Sequence, residues 1–221
     1  MADRAAGLPL AREGVPFLLL TGIPALLAGM VGWMAPSVIL GVLAGYVAWF
    51  FRNPSRVIPE GEELIVSPGD GKVIAVEQEF EPRFLKDQSI RISIFLNIFN
   101  VHINRMPCTG LIQHITYQPG IFLAANRAEA SVRNEQNALV IERFDGKRFL
   151  CVQVAGLIAR RIVCWVSPGE GVVKGDRFGL IQFGSRMDVF LPADSRPRVK
   201  VGECVKGGTS IIAELPCAEI S

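Results

Sequence analysis

Histidine is scarce in this chain. Only His102 and His114 occur in 221 residues, so any imidazole chemistry has few candidates. The five cysteines, Cys108, Cys151, Cys164, Cys204 and Cys217, are odd in number and show no Cys-x-x-Cys spacing. That excludes a disulfide framework and a structural zinc site, and no metal is expected. Reduced thiols on the cytoplasmic side are the plain reading. There is no Gly-x-Ser-x-Gly elbow, which leaves a serine hydrolase without its nucleophile turn. There is no phosphate-binding glycine loop and no dinucleotide fingerprint. A formal charge of +2 and the lack of a basic–aromatic array give no surface for nucleic acid.

Charge is also missing, completely, from residues 15–51. Residues 15–34 are long enough for one bilayer crossing at about 20 residues per span. Ala35-Pro36-Ser37 is expected to break the run, and residues 38–51 are short for a second crossing. Trp33, Tyr46, Trp49, Phe50 and Phe51 suit the membrane interface. Arg4 and Arg12 precede the run and Arg52 and Arg56 follow it, which favours a helical hairpin with both ends cytoplasmic. A signal peptide is the rival, weakened by the absence of a small-x-small cleavage site and by the second apolar run. The expected division is a tail and membrane-anchor hairpin over 1–52 and a separate β-rich domain over 53–221.

That second part is punctuated by glycine and proline and reads as mainly β. Ile90, Ile92, Ile94 and Leu96 alternate along one face of the strongest strand pattern, residues 91–99. Short β-prone runs follow at 110–116, 138–142, 149–155, 162–166, 177–183 and 187–191. Residues 124–133 and 156–161 are the two candidates for short helices. Many short strands at even spacing point to a barrel or sandwich.

One octapeptide occurs twice. Val66-Ser67-Pro68-Gly69-Asp70-Gly71-Lys72-Val73 returns as Val166-Ser167-Pro168-Gly169-Glu170-Gly171-Val172-Val173, with six of eight positions identical. Turn chemistry alone accounts for the Pro and Gly positions, so a duplication is the better reading. Val173-Lys174-Gly175-Asp176 is echoed by Val205-Lys206-Gly207-Gly208. These turns resemble those of the barrel-sandwich-hybrid folds of biotinyl and lipoyl carrier domains. The expected fold class is therefore mainly β (α+β), a duplicated hybrid-barrel-like domain behind an N-terminal hydrophobic anchor.

Few residues offer chemistry. Asp70 sits in a tight Gly-x-Gly turn, where a carboxylate either orients a neighbour or caps the turn. Glu170, its counterpart, reads as a cap. His102 follows the strongest strand in the polar cluster Asn100-Val101-His102-Ile103-Asn104-Arg105, and histidine exchanges protons near neutral pH. His114 has no such company and reads as structural. Ser185, between two strand-like runs, reads locally as the turn of a hairpin. The segment Gly120-Ile121-Phe122-Leu123-Ala124-Ala125-Asn126 is apolar for a loop. Phe122 and Leu123 there could dip toward a bilayer or cover an acyl-chain entrance; a helix start packed on the core is the alternative.

Five segments in this order resemble the phosphatidylserine decarboxylase family in its short bacterial and archaeal form. They are Phe50-Phe51-Arg52-Asn53-Pro54, Ser67-Pro68-Gly69-Asp70-Gly71-Lys72-Val73, and Phe99 through Asn100-Val101-His102-Ile103-Asn104-Arg105-Met106-Pro107. Tyr117-Gln118-Pro119-Gly120 and Phe183-Gly184-Ser185 complete the set. The resemblance implies a proenzyme that cleaves itself between Gly184 and Ser185. Residues 1–184 become the large chain, and a pyruvoyl cofactor derived from Ser185 heads the small chain, 185–221. It implies Ser185 as nucleophile, His102 as general base and acid, and Asp70 orienting His102, a triad in logic. The product ketone would then serve as electron sink for loss of carbon dioxide from phosphatidylserine, leaving phosphatidylethanolamine. The implied partners are a phospholipid substrate and the cytoplasmic (inner) cell membrane, with the catalytic domain on the cytoplasmic side and a homo-oligomer open.

One position departs from the family. Long forms carry His-x-x-His before Met-Pro, and here His102 is followed by Arg105. The long forms' division of labour between two histidines does not transfer. Arg105 has the bidentate fork suited to a phosphate or carboxylate and is a candidate substrate ligand on its own chemistry. The rival functions are a membrane-tethered carrier or adaptor on the same barrel and a decarboxylase of a related lipid such as archaetidylserine. A carrier needs a lysine at its hairpin tip, and Gly184-Ser185-Arg186-Met187-Asp188 has none.

Overall fold

A computed structural model describes residues 9–123, 133–157, 161–182 and 184–216. The chain divides into two compact units, Met1–Ser55 and Arg56–Ser221.

The first unit is a helix pair, α1 (Val15–Met30) and α2 (Met34–Phe50). The turn comes earlier than the sequence suggests. Gly32, at φ +82°, reverses the chain, and Met34-Ala35-Pro36 opens α2. Pro36 falls in the first helical turn, where its missing N–H has no intrahelical partner to lose. Ser37 Oγ donates to the Ala25 carbonyl at 2.8 Å and joins the two helices. Leu20, Leu26, Met30, Val31 and Ile39 all turn outward, the reverse of a soluble helix pair. The 19-residue stretch Arg12–Met30 is long and apolar enough to cross a membrane, whereas Met34–Phe50, at 17 residues, is shorter.

The second unit is mainly β. In chain order β1 (Leu64–Val66), β2 (Gly71–Glu81), β3 (Asp87–Leu96), β4 (Ile103–Arg105) and β5 (Gly110–Gln118) come first. Then come β6 (Gln136–Glu142), β7 (Arg148–Ala155), β8 (Ile162–Cys164), β9 (Gly171–Val172) and β10 (Arg177–Ile181). The series ends with β11 (Ser185–Pro192), β12 (Arg196–Pro197), β13 (Cys204–Val205) and β14 (Ile211–Glu214). Eight strands form one curled sheet in the order β13-β2-β3-β11-β7-β6-β5-β9, with small sheets β1-β14-β12 and β4-β10-β8 beside it. The expected strands appear with boundaries moved by a few residues. The two candidate short helices fall largely outside the described residues.

Alternation decides the layering. Ile90, Ile92, Ile94 and Leu96 of β3 join Met187, Val189 and Leu191 of β11 and Cys151 and Ala155 of β7 in the main core. The opposite face of β6 and β7 gives a smaller apolar cluster, with Ala138, Val140, Leu150, Val152 and Val154. β11 is the structural centre. It pairs along its length with β3 on one side and with β7 on the other.

The two copies of the octapeptide lie toward opposite ends of the large sheet, one opening β2 and the other β9. In the second copy Glu170 accepts the N–H of Ser167 at 3.1 Å and so caps its own turn, as its sequence context suggests.

Candidate active site

The Gly-Ser pair is not the tip of a hairpin. β10 ends at Ile181 in one sheet, and β11 begins at Ser185 in another. Ser185 is instead the first residue of the central strand, paired with Leu96 of β3 and Ala155 of β7. The local pattern shows two strand-like runs and a turn residue between them. It does not show that the runs pair with different partners.

Ser185 is fully buried, and its Oγ has no hydrogen-bond partner among the described residues. A buried hydroxyl without a partner costs on the order of 1–3 kcal/mol, so structural need does not explain this serine. Gly184 before it has φ +81°. A Cβ on Gly184 would find space, its closest neighbour being Ile98 Cγ2 at 3.9 Å. Glycine is thus required by the left-handed backbone rather than by crowding.

His102 comes to the same place from the loop after β3. It is buried, and both ring nitrogens are engaged. Nδ1 lies 3.0 Å from the Asn100 carbonyl, and Nε2 accepts the N–H of Gly184 at 3.3 Å. A carbonyl only accepts and an amide N–H only donates, so these partners assign the proton to Nδ1 and the lone pair to Nε2. The basic nitrogen therefore faces the Gly184-Ser185 segment. The Gly184 carbonyl, on the other side of the residue, accepts the N–H of Gly156 at 3.1 Å.

Asp70 is held elsewhere. Its carboxylate accepts from Arg56 Nη2 at 2.8 Å and from the Gly207 N–H at 2.8 Å. Among the described residues no hydrogen bond joins it to His102 or to its own turn. It ties the turn at residues 67–71 to the turn at 206–208. Arg105 is also buried, and its Nη1 donates to the Gly175 carbonyl at 2.8 Å. Its Cδ lies beside Gly208, where an added Cβ would sit 2.7 Å away. The two Val-Lys-Gly turns thus close around Arg105. Asp70 belongs to this framework of turns, and Arg105 enters it from β4, the strand that directly follows His102.

Phe122 and Leu123 lie on the segment that bridges to Asn134 through Ile121. Phe122 is 37% exposed, while Leu123 is half-buried with its N–H held by Asn134 Oδ1 at 2.9 Å. Asn134 Nδ2 also donates to the carbonyl of Ala155, the residue opposite Ser185. That single side chain joins the apolar segment to the site. His114 stands exposed on β5, away from this cluster. Burial pushes the Cys108 thiol up to about 12 and Cys151 well above the ordinary thiol range, so neither supplies a thiolate. Among the described residues no group of three His, Cys, Asp or Glu side chains is placed to hold a metal ion.

A family model described as phosphatidylserine decarboxylase matches residues 43–213. The phosphatidylserine decarboxylase proenzyme of Syntrophus aciditrophicus (strain SB) is 48% identical over 204 residues, 91% of this chain and 95% of that protein. The proenzyme of the same description from Ralstonia pickettii (strain 12J) is 47% identical over 210 residues, 93% of this chain and 95% of that protein. That from Paraburkholderia phymatum is 45% identical over 206 residues, covering 93% and 97%. The chain belongs to the phosphatidylserine decarboxylase family. Membership makes it a decarboxylase. Two groups at the site of this family member carry no signal in its sequence, the Gly156 N–H and the Asn134 side chain. Each acts through long-range pairing of β7, which no local pattern announces.

Proposed function

We propose that this chain converts phosphatidylserine to phosphatidylethanolamine and carbon dioxide, using a pyruvoyl group that it makes from Ser185 by self-cleavage. The observation that carries the reading is the buried Ser185 Oγ, without a hydrogen-bond partner among the described residues, beside a histidine whose lone pair faces the same segment. Family membership supports the substrate and the proenzyme form.

The first step uses only this chain's residues. His102 Nε2 exchanges the Gly184 N–H for the Ser185 hydroxyl and takes its proton. Oγ adds to the Gly184 carbonyl carbon, the C–N bond breaks, and the nitrogen receives a proton. An ester replaces the amide. Loss of the Ser185 Cα proton expels the Gly184 carboxylate, and hydrolysis releases ammonia and leaves the ketone. Gly184 exposes the carbonyl to attack, and Gly156 N–H polarises it.

After cleavage the new end stays where it was made, because β11 remains paired with β3 and β7. The pyruvoyl ketone supplies the electron sink for loss of carbon dioxide. His102 returns a proton to the decarboxylated carbon. Phe122 and Leu123 border the acyl chains, and the apolar N-terminal hairpin keeps the enzyme at the cytoplasmic membrane. Asp70 supports His102 through the turn framework. The paired turns at residues 66–73 and 166–173 support a duplicated, hybrid-barrel-like scaffold.

The test is a gel and a mass spectrum of freshly purified protein. Two fragments are expected, the smaller beginning at residue 185 with a blocked N-terminus, and Ser185→Ala stays as one chain. A single intact band with a free serine refutes the pyruvoyl reading.

A further inference from the structure

The peptide joining Ala155 to Gly156 is gripped at both ends. Its N–H donates to the Gly184 carbonyl at 3.1 Å, the carbonyl that self-cleavage must attack. Its own carbonyl, that of Ala155, accepts from Asn134 Nδ2 at 2.7 Å. Asn134 is fully buried, and both of its amide N–H groups are committed. Nδ2 also donates to the Leu123 carbonyl at 2.8 Å, and Oδ1 accepts the Leu123 N–H at 2.9 Å. Turning the amide over would set Oδ1 against two carbonyl oxygens, so the hydrogen bonds themselves fix its orientation.

We propose that Asn134 is a positioning residue for self-cleavage, which it serves by fixing the Ala155-Gly156 peptide as the donor to the Gly184 oxygen. This inference rests on the self-cleavage reading above. Attack by Ser185 Oγ makes the Gly184 oxygen an alkoxide. A donor already aimed at that oxygen in a buried site stabilises the charge without rearrangement. The Gly156 N–H continues the β7–β11 ladder one residue beyond Ser185, so the sheet supplies its direction. Asn134 supplies polarisation. A hydrogen bond to a peptide's oxygen strengthens donation from its N–H. The same side chain clamps Leu123, so the apolar segment and the donor are held in register together.

The test uses the full-length chain. Asn134→Asp keeps the shape and the acceptor for Leu123 N–H but places a carboxylate against the Ala155 carbonyl. The half-time for conversion of precursor to two chains lengthens by about tenfold or more, a fraction of the 10²–10³ lost with a whole oxyanion donor. The affected step is formation of the ester, so hydroxylamine, which cleaves esters, does not restore fragment formation. Thermal unfolding of the same samples shows whether the fold is intact.

Cleavage of Asn134→Asp at the wild-type rate overturns the proposal, as does rescue by hydroxylamine, which would move the defect to the later elimination. Should the variant not fold, the Ser185→Ala precursor decides. Its Gly156 amide must be protected from hydrogen exchange, and exchange at the unfolded rate sinks the idea. Wild-type protein that never separates into two chains would instead refute the self-cleavage reading itself.

Discussion

Gly184 donates its N–H to Nε2 of His102 at 3.3 Å, across 82 positions of sequence. With Nδ1 turned to the Asn100 carbonyl, the ring is held as the tautomer whose base points at the residue before Ser185. In the self-cleavage proposed above, the proton that Ser185 gives up has an acceptor already oriented.

His102→Gln tests that acceptor. Glutamine's carbonyl accepts the Gly184 N–H but takes no proton. Conversion of precursor to two chains slows by about 10²–10⁴, the usual worth of a positioned general base. Thermal unfolding changes little. A His102→Gln precursor that matures at the wild-type rate would remove His102 from the cleavage step.

Asp70→Asn separates a triad from a framework. The carboxylate bridges Arg56 and the Gly207 N–H with both side chains of the ion pair about 15% exposed. Losing it costs about 2 kcal/mol, within the range for hydrogen bonds to charged groups. Maturation stays within about tenfold of wild type. A loss near 10⁴, as for a triad aspartate, with stability unchanged would show that the carboxylate serves His102 directly.

Arg105→Met removes the donor to the buried Gly175 carbonyl and keeps the length of the side chain. Chemical denaturation shows a loss of about 1–3 kcal/mol, the cost of an unsatisfied buried group. Decarboxylation assayed on phosphatidylserine vesicles keeps its apparent lipid affinity. A KM raised tenfold or more at unchanged stability would instead place the guanidinium on the lipid.

Alkaline stability depends on Cys108. Burial raises its thiol from the ordinary 9.0 to about 12. The folded pKa is the higher one, so the stabilisation is complete below about pH 9 and is lost as pH rises through about 12. A shift of this size corresponds to roughly 4 kcal/mol at most. The urea midpoint of the wild-type chain should fall more steeply across that window than that of Cys108→Ala. Equal slopes would mean that the thiol ionises freely in the folded chain.

Much of this protein is legible along the chain. The uncharged run at residues 15–51 dictates an apolar helix pair, because backbone groups removed from water must be satisfied within the helix. Alternation from Ile90 to Leu96 dictates a strand with one buried face. The order of the motifs around Asp70, His102 and Gly184-Ser185 carries the family. Position Gly32 was less legible, since Pro36 is the louder helix breaker until its place in the first turn of α2 is known.

Only the tertiary structure decided what each of these residues meets. Ser185 reads locally as a turn and is the buried start of the central strand. Asp70 reads locally as a turn residue, with a link to His102 implied only by the family resemblance, and is held by Arg56 and Gly207. Asn134 and Gly156 have no pattern at all; through β7 the Gly156 N–H meets the Gly184 carbonyl and Asn134 meets the carbonyl of Ala155. The physical reason is one of range. Periodicity and turn chemistry act within a few residues and are written in the local sequence. Strand order and register bring together groups far apart in the chain, and they follow from burying all the faces at once.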